Sequence, residues 1–382
     1  MKPSLTCNPM GDRNGGRRIE LPDELEDLRA AVDRIDSNIL EQLNRRADLV
    51  AKIGQTKSRS GSPIYQPARE AKVIDRAVEA NRGPLPNSAV AAIFSQIMVS
   101  GRSLEKALKV AFLGPAHTFT HQASQIVFSG GATYEAASSI GEVFDRVEGG
   151  SVDYGVVPIE NSTAGTVGET LDRFVETSAR IVGETTLAIT HHLLSKGPVE
   201  GIKVVYSHPQ ALQQCRGWLA TNLPGAEQVE VASTAAASAR ASSEENAAAI
   251  GLIAGAEAYG LQVVKSDIQD FASNTTRFFV LGRQSNPSTG DDKTAVVFAV
   301  VDRVGALHDT LGVLRNRNIN LSNIQTRPAR GRSQVESGDY LFFLELHGHP
   351  EDPSVDLAIA EMRSLCTLVK VLGQWPVKNY RD

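Results

Sequence analysis

Cysteine is scarce. Only Cys7, Cys215 and Cys366 occur in 382 residues, far apart in the chain. That number and spacing exclude a disulfide scaffold and a cysteine-built zinc site, and they suit a reducing compartment, the cytoplasm. No apolar run reaches transmembrane length, so the sequence offers no membrane-spanning helix. Basic residues are not in excess: 39 Lys and Arg against 44 Asp and Glu leave a net charge of −5, which argues against nucleic acid as the main partner. Residues 1–19 carry no apolar signal core and are expected to be a disordered leader. His191, His192 and His208 stand at no spacing typical of a metal site, so no metal is expected. What remains is 41% hydrophobic and 22% charged residues over a length that suits two or three domains with real cores.

The first hundred residues are helical by pattern. Leu28, Val32, Ile35, Ile39, Leu43, Val50 and Ile53 recur at the spacing of one helix face, and the pattern runs on to about Lys57. Such a helix is about 50 Å long, too long for a small monomeric bundle, and it predicts pairing with a second chain. Arg46 interrupts the apolar stripe. Lys57, about three turns further on, points the same way. Two cations on a core-facing stripe call for an anionic partner or ligand, or else both reach out to solvent. Arg29 points about 100° away, which suits the site of a partner chain better than the same site in its own chain. After Pro63 and Pro67, a second helix opens with Arg69 and Glu70. A third carries Val90, Ile93, Phe94, Ile97 and Met98, and the pattern resumes through Leu104 and Glu105.

From Lys109 onward short apolar runs end in polar turns. The central one runs Val156-Val157-Pro158-Ile159-Glu160-Asn161-Ser162-Thr163, a strand flowing into hydroxyls and amides before a helix. Others are Gly114-Pro115 with Thr118-Phe119-Thr120, Ser207-His208-Pro209-Gln210, Ser233-Thr234, and Asn274-Thr275-Thr276-Arg277-Phe278. Strands alternating with helices predict parallel sheets covered by helices, with the polar turns gathered at one edge to hold a small dicarboxylate. Asn161-Ser162-Thr163 and Asn274-Thr275-Thr276 match the glycosylation pattern only by chance. A linker, 285–292, precedes a final βαββαβ order, the ferredoxin-like arrangement.

These motifs carry three resemblances. Arg29, Arg46, Lys57, Arg69 and Glu70 resemble the all-helical chorismate mutase family, whose two chains interlock. The resemblance implies that these residues hold chorismate, with Arg29 donated across a dimer, while the pericyclic step needs positioning and charge stabilisation rather than a nucleophile. Gln66 stands where an aspartate is common, Gly101 where a serine occurs, and Glu105 where the ether oxygen is met. A glutamate there must be protonated to donate, so mutase activity is expected to rise below neutral pH.

The four motifs from Gly114 to Phe278 resemble prephenate dehydratase. That family has two α/β lobes, a cleft between them and no metal or organic cofactor. The resemblance implies that Thr276 is the hydrogen-bond donor at the departing hydroxyl. Thr118, Asn161, Ser162, Thr163, Gln210, Ser233, Thr234 and Arg277 become candidates for substrate contacts, with Glu160 the alternative acid. His117 stands where the family has glycine and is expected to face solvent. Gly305-Ala306-Leu307 and Gln325-Thr326-Arg327-Pro328 resemble the ACT domain, which binds phenylalanine as an effector. Gln325 and Thr326 replace the usual Glu-Ser there.

The expected whole is a multidomain α+β chain. A helical mutase domain covers 20–106, a two-lobed dehydratase domain 107–284 and an ACT domain 293–382. It takes chorismate through prephenate to phenylpyruvate under phenylalanine control, as a homodimer or larger oligomer in the cytoplasm. The alternatives are a dehydratase whose helical domain only dimerises, and a two-lobed solute-binding protein.

Overall fold

No proline follows Pro22 before Pro63, and α1 (Pro22–Ser60) runs unbroken through Gly54, about 58 Å at 1.5 Å per residue. The structure is a computed structural model that describes residues 22–60, 63–105, 107–128, 132–271, 273–329 and 340–377, so the leader lies outside it. The chain divides into two compact units, residues 1–49 and 50–382. Along the first, Leu28, Val32, Ile35 and Ile39 are each more than half exposed. An apolar stripe of that length left open to water is the mark of an interaction surface.

The second unit begins with α2 (Pro67–Ala80) packed on α3 (Asn87–Glu105). The next segment forms a two-lobed body. In the first lobe, β1 (Lys109–Leu113), α4 (Phe119–Phe128), β2 (Thr133–Ala137), α5 (Ile140–Glu148), β3 (Tyr154–Asn161), the two-residue β4 (Gly165–Thr166), α6 (Gly168–Glu176) and β5 (Arg180–Ala188) follow in order. Helix α5 shows why the lobe holds. Ser139 caps it by accepting from the Glu142 N–H, and Ile140, Val143, Phe144 and Val147 form one buried stripe. Each such side chain contributes roughly 1.5–3 kcal/mol on burial.

The chain then builds the second lobe from β6 (His192–Ser195), β7 (Val204–Ser207), α7 (Pro209–Gln214), α8 (Arg216–Asn222), β8 (Glu227–Glu230), α9 (Thr234–Ala241), β9 (Ala247–Gly251), α10 (Ile253–Tyr259) and β10 (Gln262–Lys265). It returns to the first lobe as β11 (Thr275–Gly282), between β3 and β5. The parallel sheets expected from the alternation therefore need correction. Strand β11 re-enters from the other lobe and pairs antiparallel with both neighbours, and in the smaller sheet β6 is antiparallel to β9 and β10.

Last come β12 (Asp292–Val300), α11 (Ala306–Asn316), β13 (Leu321–Pro328), β14 (Tyr340–His347), α12 (Pro353–Leu365) and β15 (Cys366–Pro376), the βαββαβ order. This sheet joins the first lobe's in a 10-stranded whole, through Gly373 of β15 beside Ile181 of β5. Only glycine fits there, since a Cβ on Gly373 would lie 2.2 Å from the Ile181 carbonyl oxygen. The expected linker is also tied down: Asn286 is buried and donates to the Val182 and Gln374 carbonyls.

Candidate active sites

The polar turns do gather. A cavity of about 230 Å³ is lined by Gly114, Thr118, Phe119 and Asn161 from one lobe, by His191, Gln210, Gln214, Ser233 and Thr234 from the other, and by Thr276 of the returning strand. Among the described residues its lining holds no Asp, Glu, Lys or Arg. Asn161 and Thr276 are opposite each other in the β3–β11 register. Asn161 Nδ2 donates to Thr276 Oγ1 at 2.8 Å and to Asn274 Oδ1 at 2.8 Å. Asn161 Oδ1 meanwhile accepts from the Thr163 and Ala164 N–H groups and from Gln210 Nε2. Two backbone donors thus decide which end of the amide is oxygen. Thr276 must accept from Asn161, which leaves its own proton free to point into the cavity.

Ser162 and Thr163 support the cavity instead of lining it, and the lining residues Ser233 and Thr118 also hold local bonds. The Ser162 and Thr163 hydroxyls turn to Asn274 Oδ1 at 3.4 and 3.3 Å, and Ser162 Oγ accepts from the Thr275 N–H. Ser233 caps α9 by accepting from the Ala236 N–H. Thr118 donates to the Pro115 carbonyl at 3.0 Å. Arg277 and Glu160 do not reach the cavity. Strand alternation turns both to the opposite face, where they pair at 3.2 Å. Arg277, read from sequence as a substrate contact, is instead enclosed by Glu345, Glu184 and Glu160.

Gln214 and His191 complete the floor, with His191 Nε2 2.8 Å from Gln214 Oε1. Gln214 was legible as the residue one turn after Gln210 on the same helix face. Burial pushes the His191 imidazole below its ordinary value, opposed by its hydrogen bond to the Gln214 amide oxygen. His117 does not face open solvent. At a φ of 64° it is half-buried, with its ring centroid 5.8 Å from that of His121 and 6.0 Å from that of Tyr259 of the other lobe. Asn161 and Asn274 are both buried, which removes them as glycan acceptors. Among the described residues no three His, Cys, Asp or Glu side chains converge as a metal site.

In the helical segment Lys57 Nζ lies 2.7 Å from Glu105 Oε2. Gly54 brings α1 and α3 together here, since a Cβ on it would fall 2.5 Å from the Glu105 Cα. Glu70 is buried against Arg102 at 3.3 Å, and Arg102 stacks over Tyr65 and donates to the Val127 carbonyl. Gln66 sits at the start of α2 and is half-buried, while Arg69 is exposed. In the first unit Arg29 is exposed and Arg46 half-buried.

In the last domain Gly305, at a φ of 81°, leads α11, with Ala306 buried and Leu307 half-buried behind it. Thr326 is exposed, Gln325 donates to Asn323 and Arg327 pairs with Asp172 of α6 at 2.7 Å.

A two-lobed body with a hydroxyl- and amide-lined cleft, flanked by a helical segment and a ferredoxin-like domain, defines the class. Family models match in the same order: chorismate mutase type II over residues 28–106, prephenate dehydratase over 110–286 and the ACT domain over 294–362. The chain belongs to the bifunctional chorismate mutase/prephenate dehydratase family and is an enzyme with both activities. It is 42% identical to the protein of that description from Aquifex aeolicus, over 93% of this chain and 98% of that one. With the Pseudomonas aeruginosa protein it shares 39% identity over 93% of this chain and 98% of the other. Among solved structures, the prephenate dehydratase of Arthrobacter aurescens in complex with L-Phe matches 70% of this chain and 90% of its own, at a TM-score of 0.65 and 34% identity. The bifunctional relatives support two activities over a helical domain that only dimerises.

Proposed function

We propose that Thr276 and Asn161 form the catalytic pair of the dehydratase. Prephenate sits in the neutral cavity, its carboxylates held by amides, hydroxyls and the N–H groups opening α9. The bond from the ring to its carboxylate breaks, carbon dioxide leaves, and the electron pair enters the ring. The ring's opposite hydroxyl departs with a proton, as water, leaving phenylpyruvate. The free proton of Thr276 meets that hydroxyl. The observation that carries this reading is the 2.8 Å hydrogen bond from Asn161 to Thr276, with the amide oriented by two backbone donors. Glu160, turned away and paired with Arg277, fits the acid role poorly.

For the mutase, Arg46, Lys57, Arg69, Glu70, Gln66 and Glu105 form the chorismate site with Arg29 from a second copy. The open stripe of α1 supports the homodimer this requires. Lys57 and Glu105 pair across α1 and α3, and substrate entry separates them, freeing Glu105 to face the ether oxygen.

Phenylalanine is the effector, a reading supported by the L-Phe-bound Arthrobacter aurescens relative. Cys215 and Cys366 are free thiols, which suits the cytoplasm. Supplying the purified protein with chorismate, and following prephenate and phenylpyruvate, tests both reactions at once. Prephenate accumulating without phenylpyruvate would refute the dehydratase assignment.

A further inference from the structure

The back of the β3–β11 pair carries a cluster of charges that the dehydratase reaction does not use. Glu160 opposes Arg277 there, as Asn161 opposes Thr276 in front. Arg277 donates to Glu345 on β14 at 2.8 and 2.6 Å and to Glu184 on β5 at 3.1 Å. Lys293 on β12 reaches Glu184 at 2.8 Å. Apart from Glu160, every side chain in the set is less than a fifth exposed. Withdrawing one partner from such a cluster leaves a charge uncompensated, so its members shift together.

The cluster is continuous with the motif expected to read the effector. Gln325 Nε2 donates to Asn323 Oδ1 at 3.3 Å, and Asn323 Nδ2 lies 3.4 Å from Glu160 and 3.5 Å from Glu345. A cavity of about 20 Å³ among these residues has room for about one water, so the seam is not packed solid. The same strand grips the helix that leaves the catalytic turn. Arg327 lies against Gly168, the first residue of α6, and binds Asp172 one turn on. Lys370 of β15 donates to the Phe174, Val175 and Thr177 carbonyls at the other end of α6. The turn bearing Asn161 is therefore held from the C-terminal domain at its back and along the helix that follows it.

We infer that the relay from Gln325 through Asn323 to Glu345, Glu160 and Arg277 couples the effector state of β13 to the Asn161–Thr276 pair. This rests on the phenylalanine reading above. A hydroxyl displaced by about 1 Å can cost about 100-fold in rate, so a small shift of β13 suffices. The replacement of the family's glutamate by Gln325 does not break the path, because a carboxamide can donate to Asn323 where a carboxylate cannot.

The test uses the full-length protein with Asn323→Ala and, separately, Glu345→Gln. Neither residue lines the substrate cavity. Phenylalanine binding is measured by calorimetry, and dehydratase rate with and without saturating phenylalanine. Both variants should keep the basal rate and bind phenylalanine, while inhibition weakens by about tenfold, the size of a typical coupling between linked sites. Binding with inhibition as deep as wild type in both variants would overturn the relay alone. So would loss of basal activity in both, which marks a structural support, or loss of phenylalanine binding, which marks the effector pocket itself. A wild-type protein that neither binds nor responds to phenylalanine would overturn the effector reading and the relay with it.

Discussion

Replacing Thr276 by Val keeps the shape of the side chain and removes its proton. The structure separates the two consequences. Asn161 Nδ2 loses one acceptor but keeps Asn274 Oδ1 at 2.8 Å and the Thr275 carbonyl at 3.2 Å, so its amide stays satisfied. The cost to stability is then about 1 kcal/mol, the net worth of one hydrogen bond. In the proposed role the cost to catalysis is larger, because the lost donor would act where charge develops. By comparison with single donors removed from preorganised sites, the rate of the chemical step should fall by about 10²–10³-fold, or about 2.7–4 kcal/mol. Thr276→Ser keeps the proton and should lose far less. Single-turnover conversion of prephenate, with the mutase rate of the same preparation as a folding control, reads the effect directly. Glu160→Gln supplies the contrast and should leave the chemical step close to wild type. If the valine variant turned over at a near-normal rate, or the glutamine variant were the slower of the two, the assignment of the donor would be refuted.

Three further outcomes follow from single sites. Gly54→Ala places a methyl against the Glu105 backbone, and overpacking of this kind costs about 1–3 kcal/mol. Mutase activity should drop while the dehydratase is spared, and a wild-type mutase rate would contradict the close crossing of α1 and α3. Ile39→Glu charges the open stripe of α1 and should shift the oligomer towards monomer in light scattering, taking the mutase with it if Arg29 serves a partner's site. An unchanged mass would count against that surface. The third concerns pH. Because burial lowers the His191 pKa, the unfolded chain takes up this proton at higher pH than the folded chain. Stability is therefore lost as pH falls below the imidazole's ordinary value of about 6.5. His191→Asn should melt with a shallower decline between about pH 6.5 and 5 than wild type does, and identical slopes would show that the imidazole is not held neutral.

Local chemistry made the order of elements readable. The heptad-like stripe of α1, the Ser233 cap of α9 and the run of strands into polar turns each follow from neighbouring residues. For the same reason the sequence singled out Asn161, Gln210, Ser233 and Thr276, since hydroxyls and amides at strand ends advertise a ligand site. Sequence could not say which way a side chain faces at an element's end. Glu160 and Asn161 are adjacent, as are Arg277 and Thr276, yet pleating sends one of each pair to the cavity and the other to the far side. That split became visible only once β11 had re-entered antiparallel between β3 and β5, its pairing with β3 reaching across more than a hundred residues. The same long-range docking turned the expected linker into a buried tie at Asn286 and put Glu345 behind β11. Spacing along the chain decides which residues share a face, but only the closed sheet decides what that face meets.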